Sequence, residues 1–340
     1  MSVASSGLQA NGASDFPSLS ADGSIVCFQS AATNLVGGDN NAETDLFAHD
    51  GSSGTTTRVS VATSGVQADG PTIANGRNNL SFTGRFVAFE SRATNLVIGD
   101  TNGAADVFLH DRTLGQTTRV SLTAAGAQIG GASLAPSISA DGRMVAFHSP
   151  ALAVVPDDTN GANDVFLRDL AVGTTVRVSV ATTGGQANGG SDLACISADG
   201  TAIAFESLAT NLVAGDTNGI VDAYVRDRSV AGLLGTTVPF SVQNNSGILG
   251  NATSLEAAIS ANGATVAFSS DATNLVAGDT NVVRDVFVRQ GRSTLRMSLD
   301  DAEVQADGAS DRPAISGDGN AVAFRFRPTP TACGTSSGGP

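Results

Sequence analysis

The chain has 340 residues, of which 41% are hydrophobic, and a net charge of −14 from 32 acidic and 18 basic residues. Every basic residue is an arginine, and so acidic a protein cannot neutralise a row of phosphates, which excludes nucleic acid as a partner. No apolar run reaches about 18 residues, so we expect no membrane span, and no secretory signal peptide is visible.

One sequence unit recurs along the whole chain. Its clearest copy reads Pro-Ser-Ile-Ser-Ala-Asp-Gly-Arg-Met-Val-Ala-Phe over residues 136–147 and Asp-Thr-Asn-Gly-Ala-Asn-Asp-Val-Phe-Leu-Arg-Asp over residues 158–169. The first aspartate of the second motif recurs at spacings of 58 to 63 residues, and another aspartate always follows it by six. Because the inner offsets stay constant while the total period varies, the stretch they enclose is a rigid unit of a repeat fold.

Each unit contains four short runs with the composition of β-strands. They are Pro-x-Ile-Ser, Val-Ala-Phe, Asp-Val-Phe-Leu/Val-Arg-Asp and Thr-Thr-Arg-Val-Ser-Val, separated by turns rich in Gly, Asn and Asp. Valine and phenylalanine occupy adjacent rather than alternating positions, which indicates strands buried on both faces. Four such strands in about 60 residues are typical of one blade of a β-propeller.

Together the two motifs resemble the TolB-type β-propeller repeat, a relative of the WD-repeat propellers. The resemblance covers about residues 15–327 and is specific for the fold. It implies an all-β, six-bladed β-propeller with 58–63 residues per blade. The family includes periplasmic scaffold proteins, binding modules and the non-catalytic propellers of some peptidases, so the resemblance is far less specific for function.

In chain order, the predicted elements form one domain over residues 1–327. Residues 1–14 match the fourth strand and exit loop of the other copies and are predicted to be the outer strand of a closing blade. Blades 1 to 5 follow, over residues 15–70, 71–133, 134–191, 192–254 and 255–310. Residues 311–327 supply the inner strands of the closing blade, so pairing of the N- and C-terminal strands would close the ring. Residues 328–340 are predicted to be a flexible tail.

The closing blade lacks a strand of the Asp-Val-Phe type. After Phe326 the chain is rich in proline, glycine and serine, which do not form such a strand. Either this blade has three strands, which we expect, or other residues complete it. Because Met1 matches the middle of a fourth strand, we also expect the natural chain to begin upstream. Cys27 and Cys195 are predicted to be buried apolar residues rather than partners in a disulfide.

The Asp-x-Asn-Gly-x-x-Asp loop between the second and third strands is the best candidate for chemistry. Its side-chain oxygens at positions 1, 3 and 7 of a tight turn resemble the start of Ca²⁺-binding loops, so we predict Ca²⁺ as a structural cofactor. The alternative is an Asx-type turn, in which these side chains bond nearby backbone N–H groups. Three oxygens fall short of the roughly six to eight that Ca²⁺ takes. The candidate ligands are Asp39, Asn41, Asp45, Asp100, Asn102, Asp106, Asp158, Asn160, Asp164, Asp216, Asn218, Asp222, Asp279, Asn281 and Asp285.

A second loop, Gln-Ala-Asn/Asp-Gly, leads from the fourth strand of one blade into the next. Strand alternation places it on the same rim of the ring as the Asp-x-Asn-Gly loop, whereas the Ala-Asp-Gly turns and many arginines lie on the opposite rim. We therefore predict an acidic, amide-rich face that binds a cation, a glycan or a basic protein surface. The alternative is that each loop only satisfies its own backbone.

Two further positions hold titratable side chains. His49 and His110 stand in the third strand where blades 3 and 4 have arginine, and we predict that they are surface substitutes for it. Glu90 and Glu206 follow the Val-Ala-Phe triplet, where the other blades have glutamine, histidine or serine. A position that varies among constant neighbours is a candidate for lining the central channel.

No nucleophile or zinc motif such as Gly-x-Ser-x-Gly or His-Glu-x-x-His occurs in the sequence. We therefore expect a non-catalytic binding or scaffold propeller of an exported bacterial-type protein, periplasmic or extracellular, with a protein or glycan partner. The chain would be a monomer or a fragment of a larger protein. The alternatives are a propeller hydrolase or lyase acting at the channel mouth, and the accessory propeller of a larger peptidase.

Overall fold

The computed structural model describes residues 2–74, 79–229 and 235–328, and these residues form twenty-two β-strands, β1 to β22. Residues 329–340, which include most of the predicted tail and Cys333, lie outside the described residues. In the described ranges no helix has the length and apolar character needed to cross a bilayer. The side chains of Cys27 and Cys195 are buried, as predicted.

The first twenty strands form five four-stranded antiparallel sheets, in which strands adjacent in sequence pair. Blade 1 consists of β1 (Ser14–Leu19), β2 (Ile25–Ser30), β3 (Asp45–Asp50) and β4 (Thr55–Arg58), and blade 2 of β5 (Thr72–Ile73), β6 (Phe86–Ser91), β7 (Asp106–Asp111) and β8 (Gln116–Arg119). Blade 3 consists of β9 (Leu134–Ile138), β10 (Met144–Ser149), β11 (Asp164–Asp169) and β12 (Thr174–Arg177). Blade 4 consists of β13 (Ser191–Ile196), β14 (Ala202–Ser207), β15 (Asp222–Asp227) and β16 (Thr236–Pro239), and blade 5 of β17 (Ser254–Ile259), β18 (Thr265–Ser270), β19 (Asp285–Gln290) and β20 (Ser293–Arg296).

The second and third strands of each blade form the core. In blade 3, Phe147 of β10 pairs with Phe166 of β11, both side chains are fully buried, and their ring centroids lie 5.9 Å apart. The neighbouring Val165 and Leu167 point to the other face of the sheet and are also buried. The prediction of strands buried on both faces is therefore confirmed.

Backbone hydrogen bonds connect the blades in chain order. At the turn after each first strand, an N–H donates to the carbonyl of the equivalent residue in the next blade. These bonds measure 2.8 to 3.0 Å and connect Ala21 to Phe82, Phe82 to Ala140, Ala140 to Ala198, Ala198 to Ala261, and Ala261 to Gly317. Six successive blades therefore pack side by side, as expected for the predicted six-bladed propeller.

The sixth blade contributes two strands, β21 (Ala309–Ile315) and β22 (Val322–Arg327), which pair only with each other among the described residues. The N-terminal residues form a hairpin through a bridge between Val3 and Gln9, and Thr56 Oγ1 of β4 donates to the Val3 carbonyl at 2.5 Å. The exit hairpins after blades 1 to 4 bond the fourth strand of the following blade in the same way, through Thr117, Thr175, Thr237 and Thr294. The N-terminal hairpin thus lies where the exit loop of a preceding blade would lie, and ring closure by strand pairing stays a prediction.

Candidate functional site

The Asp-x-Asn-Gly and Gln-Ala-x-Gly loops lie together on one rim, as predicted. In blade 3, Asn160 Nδ2 donates to the Ala187 carbonyl at 2.9 Å, and Gln186 Nε2 donates to Asp158 Oδ1 at 3.0 Å. Asn160 Oδ1 also accepts the backbone N–H of Ala162 at 2.9 Å, which is the bond of an Asx-type turn. We call the surface formed by these two loops the oxygen-rich rim.

An arginine from the fourth strand lies between the two loop aspartates in four of the five complete blades. In blade 2, Arg119 Nη2 is 3.1 Å from Asp100 Oδ2, and Arg119 Nε is 3.3 Å from Asp106 Oδ2. Asp106 is fully buried and also accepts the Ser121 hydroxyl at 2.6 Å. The equivalent sets are Arg58 with Asp39 and Asp45, Arg177 with Asp158 and Asp164, and Arg296 with Asp279 and Asp285. This role was not predicted from the sequence, although a Thr-x-Arg run ends the fourth strand of blades 1, 2, 3 and 5.

Blade 4 has no such arginine, because Pro239 occupies the equivalent position opposite Tyr224. The Tyr224 hydroxyl donates to Asp216 Oδ2 at 2.6 Å, and Asn218 Nδ2 donates to Asp222 Oδ2 at 2.6 Å. Burial raises the pKa of Asp222 to about 6, against the opposing effect of its hydrogen bonds. The two carboxylates of blade 4 therefore have neutral donors where the other blades supply a guanidinium.

The structure brings most of the predicted ligands of each loop together. The asparagine bonds the second aspartate in blades 1, 2, 4 and 5, at 2.6 to 3.2 Å. Within the described residues, however, no group of three or more His, Cys, Asp or Glu side chains is placed to hold a metal ion. Ca²⁺ binding by these loops stays a prediction.

A third loop, Ala-Thr-Asn-Leu after the second strand, completes the rim and was not singled out from the sequence. In blade 4, Asn188 Nδ2 donates to Thr210 Oγ1 at 3.0 Å, Asn188 Oδ1 accepts the Thr210 N–H at 2.8 Å, and the Asn188 N–H donates to Asn211 Oδ1 at 3.0 Å. Asn188 and Thr210 are both exposed. We call this pair and its equivalents the rim clasps; the others are Asn11 with Thr33, Asp69 with Thr94, and Asn251 with Thr273.

The glycine of the second loop is required by the close approach of two backbones. A Cβ atom at Gly189 would lie 2.9 Å from the carbonyl carbon and oxygen of Leu208, whereas a Cβ atom at Gly190 would meet nothing within 4 Å. We expect Gly189→Ala to destabilise the protein by about 1–3 kcal/mol, since backbone has to move. Gly190→Ala is the matched control and should be neutral or slightly stabilising in a urea titration. Equal losses in both variants would contradict this packing.

Glu90 and Glu206 are buried and bond the inner strand of the next blade. Glu90 Oε2 accepts the N–H of Ala135 at 2.7 Å, and Glu206 Oε1 accepts the N–H of Glu256 at 2.5 Å. Ala135 and Glu256 have φ angles of 51° and 59° and lie at β-bulges, where the ladder leaves an N–H unpaired. In blade 1, Gln29 Oε1 likewise accepts the N–H of Ala74, at 3.0 Å. This variable position therefore has a structural role.

The ionisation of Glu90 should make stability depend on pH. Burial raises the pKa of Glu90 above 4.5, although the bond from Ala135 opposes the shift, so the folded state retains the proton longer than the unfolded state. This contribution is present below about pH 4.5 and is lost as pH rises through the folded-state pKa. We expect Glu90→Gln, the residue type of blade 1, to be more stable than wild type at neutral pH. The difference should shrink toward pH 4.5 in denaturant titrations.

Glu90→Ala separates the charge from the hydrogen bond. It leaves the buried N–H of Ala135 without its acceptor, which should cost about 1–3 kcal/mol at every pH. If Glu90→Gln and Glu90→Ala had the same free energy of unfolding, the proposed acceptor role would be wrong.

A cavity of about 330 Å³ lies where blades 3, 4 and 5 meet. His148, Asp192 and Glu206 are among its lining residues, and His148 Nε2 is 3.6 Å from Asp192 Oδ1. Burial lowers the pKa of His148, and the Asp192 carboxylate opposes the shift. This pair was not anticipated from the sequence, because Asp192 lies in the first strand of the neighbouring blade.

The prediction that His49 and His110 are surface residues is wrong. Their side chains are buried, with 6% and 5% exposure, and Nδ1 bonds Thr56 Oγ1 at 2.8 Å and Thr117 Oγ1 at 2.9 Å. Blades 3 and 4 use an arginine Nη1 to bond the equivalent threonine, at 3.0 and 2.9 Å. Histidine therefore does replace arginine at this position, as predicted. The side chain, however, lies in the interior, where it bonds a threonine of the fourth strand.

No family profile matches the sequence, and no curated protein is detectably similar to it in sequence. Solved structures share its architecture. The putative TolB from Agrobacterium tumefaciens matches 94% of this chain over 92% of its own length, with a TM-score of 0.53 and 16% identity. The β-propeller domain of the Trilobed protease from Pyrococcus furiosus, described as having an open velcro topology, matches 94% of this chain over 79% of its own, with a TM-score of 0.55 and 10% identity.

TolB from Acinetobacter baumannii matches 90% of this chain with a TM-score of 0.49 and 16% identity, and this chain spans 58% of its length. At such identities, structural likeness is evidence of fold alone. The repeated four-stranded blades and their sequential packing agree with the fold of the Agrobacterium and Pyrococcus propellers. The chain therefore has the all-β architecture of a TolB-like β-propeller.

Proposed function

We propose that this protein is a non-catalytic binding or scaffold propeller whose oxygen-rich rim contacts a protein or glycan partner. The observation that carries the proposal is the repetition of the rim clasps, which place an amide or carboxylate beside a threonine hydroxyl in four blades. Two hydrogen bonds within each pair hold these side chains in place, so little conformational entropy is lost when a partner binds. Amide and hydroxyl groups can both donate and accept, which suits sugar hydroxyls and peptide groups.

The charge of the chain narrows the class of partner. A net charge of −14 without any lysine disfavours acidic ligands and favours uncharged or basic ones. The proposed location, outside the cytoplasm of a bacterial-type cell, rests on this lysine-free, Asn-, Thr- and Gly-rich composition. The proposal does not place Ca²⁺ in blades 1, 2, 3 and 5, because an arginine already lies between the two loop aspartates of each.

Binding to a printed glycan array and to a panel of basic proteins tests the proposal. We expect saturable binding without release of any product. A variant combining Asn11→Ala, Asn188→Ala and Asn251→Ala should lose that binding because it removes three rim clasps. Arg143→Ala, on the opposite rim, is the control and should bind as wild type does. Unchanged binding by the triple variant would contradict a role for this rim.

The cavity between blades 3, 4 and 5 favours a second candidate function. A buried histidine near a carboxylate can exchange protons, so a hydrolase or lyase at this cavity, or the accessory propeller of a larger peptidase, is the alternative. Product release from polysaccharides or peptides, abolished by His148→Ala and unaffected by the triple rim variant, would favour this candidate over the first.

A further inference from the structure

The aspartate pair of blade 4 differs from the pairs of the other complete blades at three surrounding positions. Proline at 239 replaces the arginine, leucine at 249 replaces the glutamine of the exit hairpin, and tyrosine at 224 replaces a phenylalanine. The missing arginine contacts both carboxylates in each of the other complete blades, and the missing glutamine does so in blades 2 and 3. The aspartates themselves, Asp216 and Asp222, are retained.

Both carboxylates of blade 4 are buried, with exposures of 6% for Asp216 and 0% for Asp222. Asp222 accepts hydrogen bonds from Asn218 at 2.6 Å and from the Ser241 hydroxyl at 3.0 Å. Asp216 Oδ2 accepts the Tyr224 hydroxyl at 2.6 Å, but Asp216 Oδ1 has no hydrogen-bond partner among the described residues. Neither carboxylate has an ion pair within those residues, so two buried acidic groups share only neutral donors.

Buried carboxylates without a counter-charge are strongly disfavoured, and the fold normally supplies one at this location. In blade 2 the guanidinium of Arg119 is within 3.3 Å of both aspartates. Asp216 therefore lacks the ion pair that the first loop aspartate makes with arginine in each of the other complete blades. A hard divalent cation would also supply positive charge at this position, and carboxylate oxygens are among its preferred ligands.

We propose that blade 4 binds one hard divalent cation between Asp216 and Asp222, at the position that the arginine side chain occupies in the other complete blades. Two carboxylates provide only part of a coordination shell, so backbone carbonyls and water would complete it. Mg²⁺ typically keeps several waters and uses one or two carboxylates, whereas Ca²⁺ takes more protein oxygens. The site is independent of partner binding by the rim clasps, so the two proposals can fail separately.

Tyr224 provides a local probe of this site. It is the only tyrosine of the chain, which also has no tryptophan, and its hydroxyl bonds Asp216 directly. Tb³⁺ is an oxygen-seeking ion that emits when a tyrosine close to it is excited. We expect wild-type protein to give saturable Tb³⁺ emission upon excitation of tyrosine, and Ca²⁺ or Mg²⁺ to displace it. The more effective competitor identifies the preferred ion. Emission that does not saturate, or that neither ion displaces, would overturn the proposal.

Two variants test the ligands. Asp216→Asn should abolish the emission, and the double variant Pro239→Arg with Leu249→Gln should abolish it by restoring the arginine and glutamine of the other blades. Asp100→Asn in blade 2, where Arg119 already lies between the aspartates, is the matched control and should leave the emission unchanged. Equal emission from Asp216→Asn and wild type would overturn the assignment.

A thermal measurement does not depend on the tyrosine. Ca²⁺ or Mg²⁺ should raise the Tm of wild-type protein, since an ion that binds only the native state stabilises it. The double variant should have a higher Tm than wild type in chelator and should not respond to either ion. A wild-type Tm that neither ion changes would overturn the proposal, whatever the behaviour of the variants.

Discussion

Replacing Arg119 with leucine is expected to destabilise the protein by about 3–5 kcal/mol. The side chain of Arg119 is 9% exposed and lies 3.1 Å from Asp100 and 3.3 Å from Asp106, whose side chains are also buried. Leucine removes the charge but leaves both carboxylates in the protein interior, where solvent cannot replace the lost counter-charge. Equilibrium unfolding in guanidinium chloride, with the salt concentration matched between samples, measures the loss.

An exposed ion pair provides the control for this prediction. Arg143 lies 2.9 Å from Asp169, a shorter distance than in blade 2, but its side chain is 47% exposed. Arg143→Ala should therefore cost less than about 1 kcal/mol. Adding Asp106→Asn to Arg119→Leu should recover part of the loss, because it removes one of the uncompensated charges. Similar losses for Arg119→Leu and Arg143→Ala would show that burial does not control the strength of these pairs.

The repeat was readable from the sequence because its constant offsets reflect a rigid local structure. The run Asp-Val-Phe-Leu-Arg-Asp of blade 3 predicts a strand of its own, and β11 (Asp164–Asp169) coincides with it. The two loops of the rim could be assigned to one side because successive antiparallel strands reverse direction. The fold and the face that carries the site therefore follow from local patterns.

The contacts that give the site its chemistry were not readable in the same way. Arg119 reaches the loop aspartates because β8 pairs with β7 in the register that places it opposite Phe108, and a one-residue shift would turn its side chain to the other face. The burial of His110 depends on Thr117 of the adjacent strand. These contacts are determined by strand register and tertiary packing, which the composition of a single strand does not specify.

Blade 4 shows what comparison of the copies can add. Pro239 was visible in the sequence as a departure from Thr-Thr-Arg, but its meaning required knowing what the arginine contacts in the other blades. Arginine contacts both loop aspartates in four blades. Its replacement by proline in blade 4 therefore identifies two buried carboxylates without an arginine partner. The closing blade offers no such comparison, because β22 pairs only with β21 among the described residues.

Truncation of Phe166 to alanine should also have a large effect, a loss of about 3–5 kcal/mol. Phe166 is fully buried in β11, and its ring packs against Phe147 of β10 and belongs to the cluster between blades 2 and 3. Removing the ring takes away buried apolar area and leaves a cavity that the rigid sheets on either side cannot fill. The loss should appear in denaturant unfolding as a lower transition midpoint.

Phe82 is the matched control, because it is the same residue type with 62% exposure. Its backbone connects neighbouring blades, but its side chain contributes little burial, so Phe82→Ala should change stability by less than about 0.5 kcal/mol. Phe166→Leu, which retains most of the apolar volume, should fall between the two alanine variants. If Phe82→Ala cost as much as Phe166→Ala, the paired aromatic residues could not be the main source of stability within each blade.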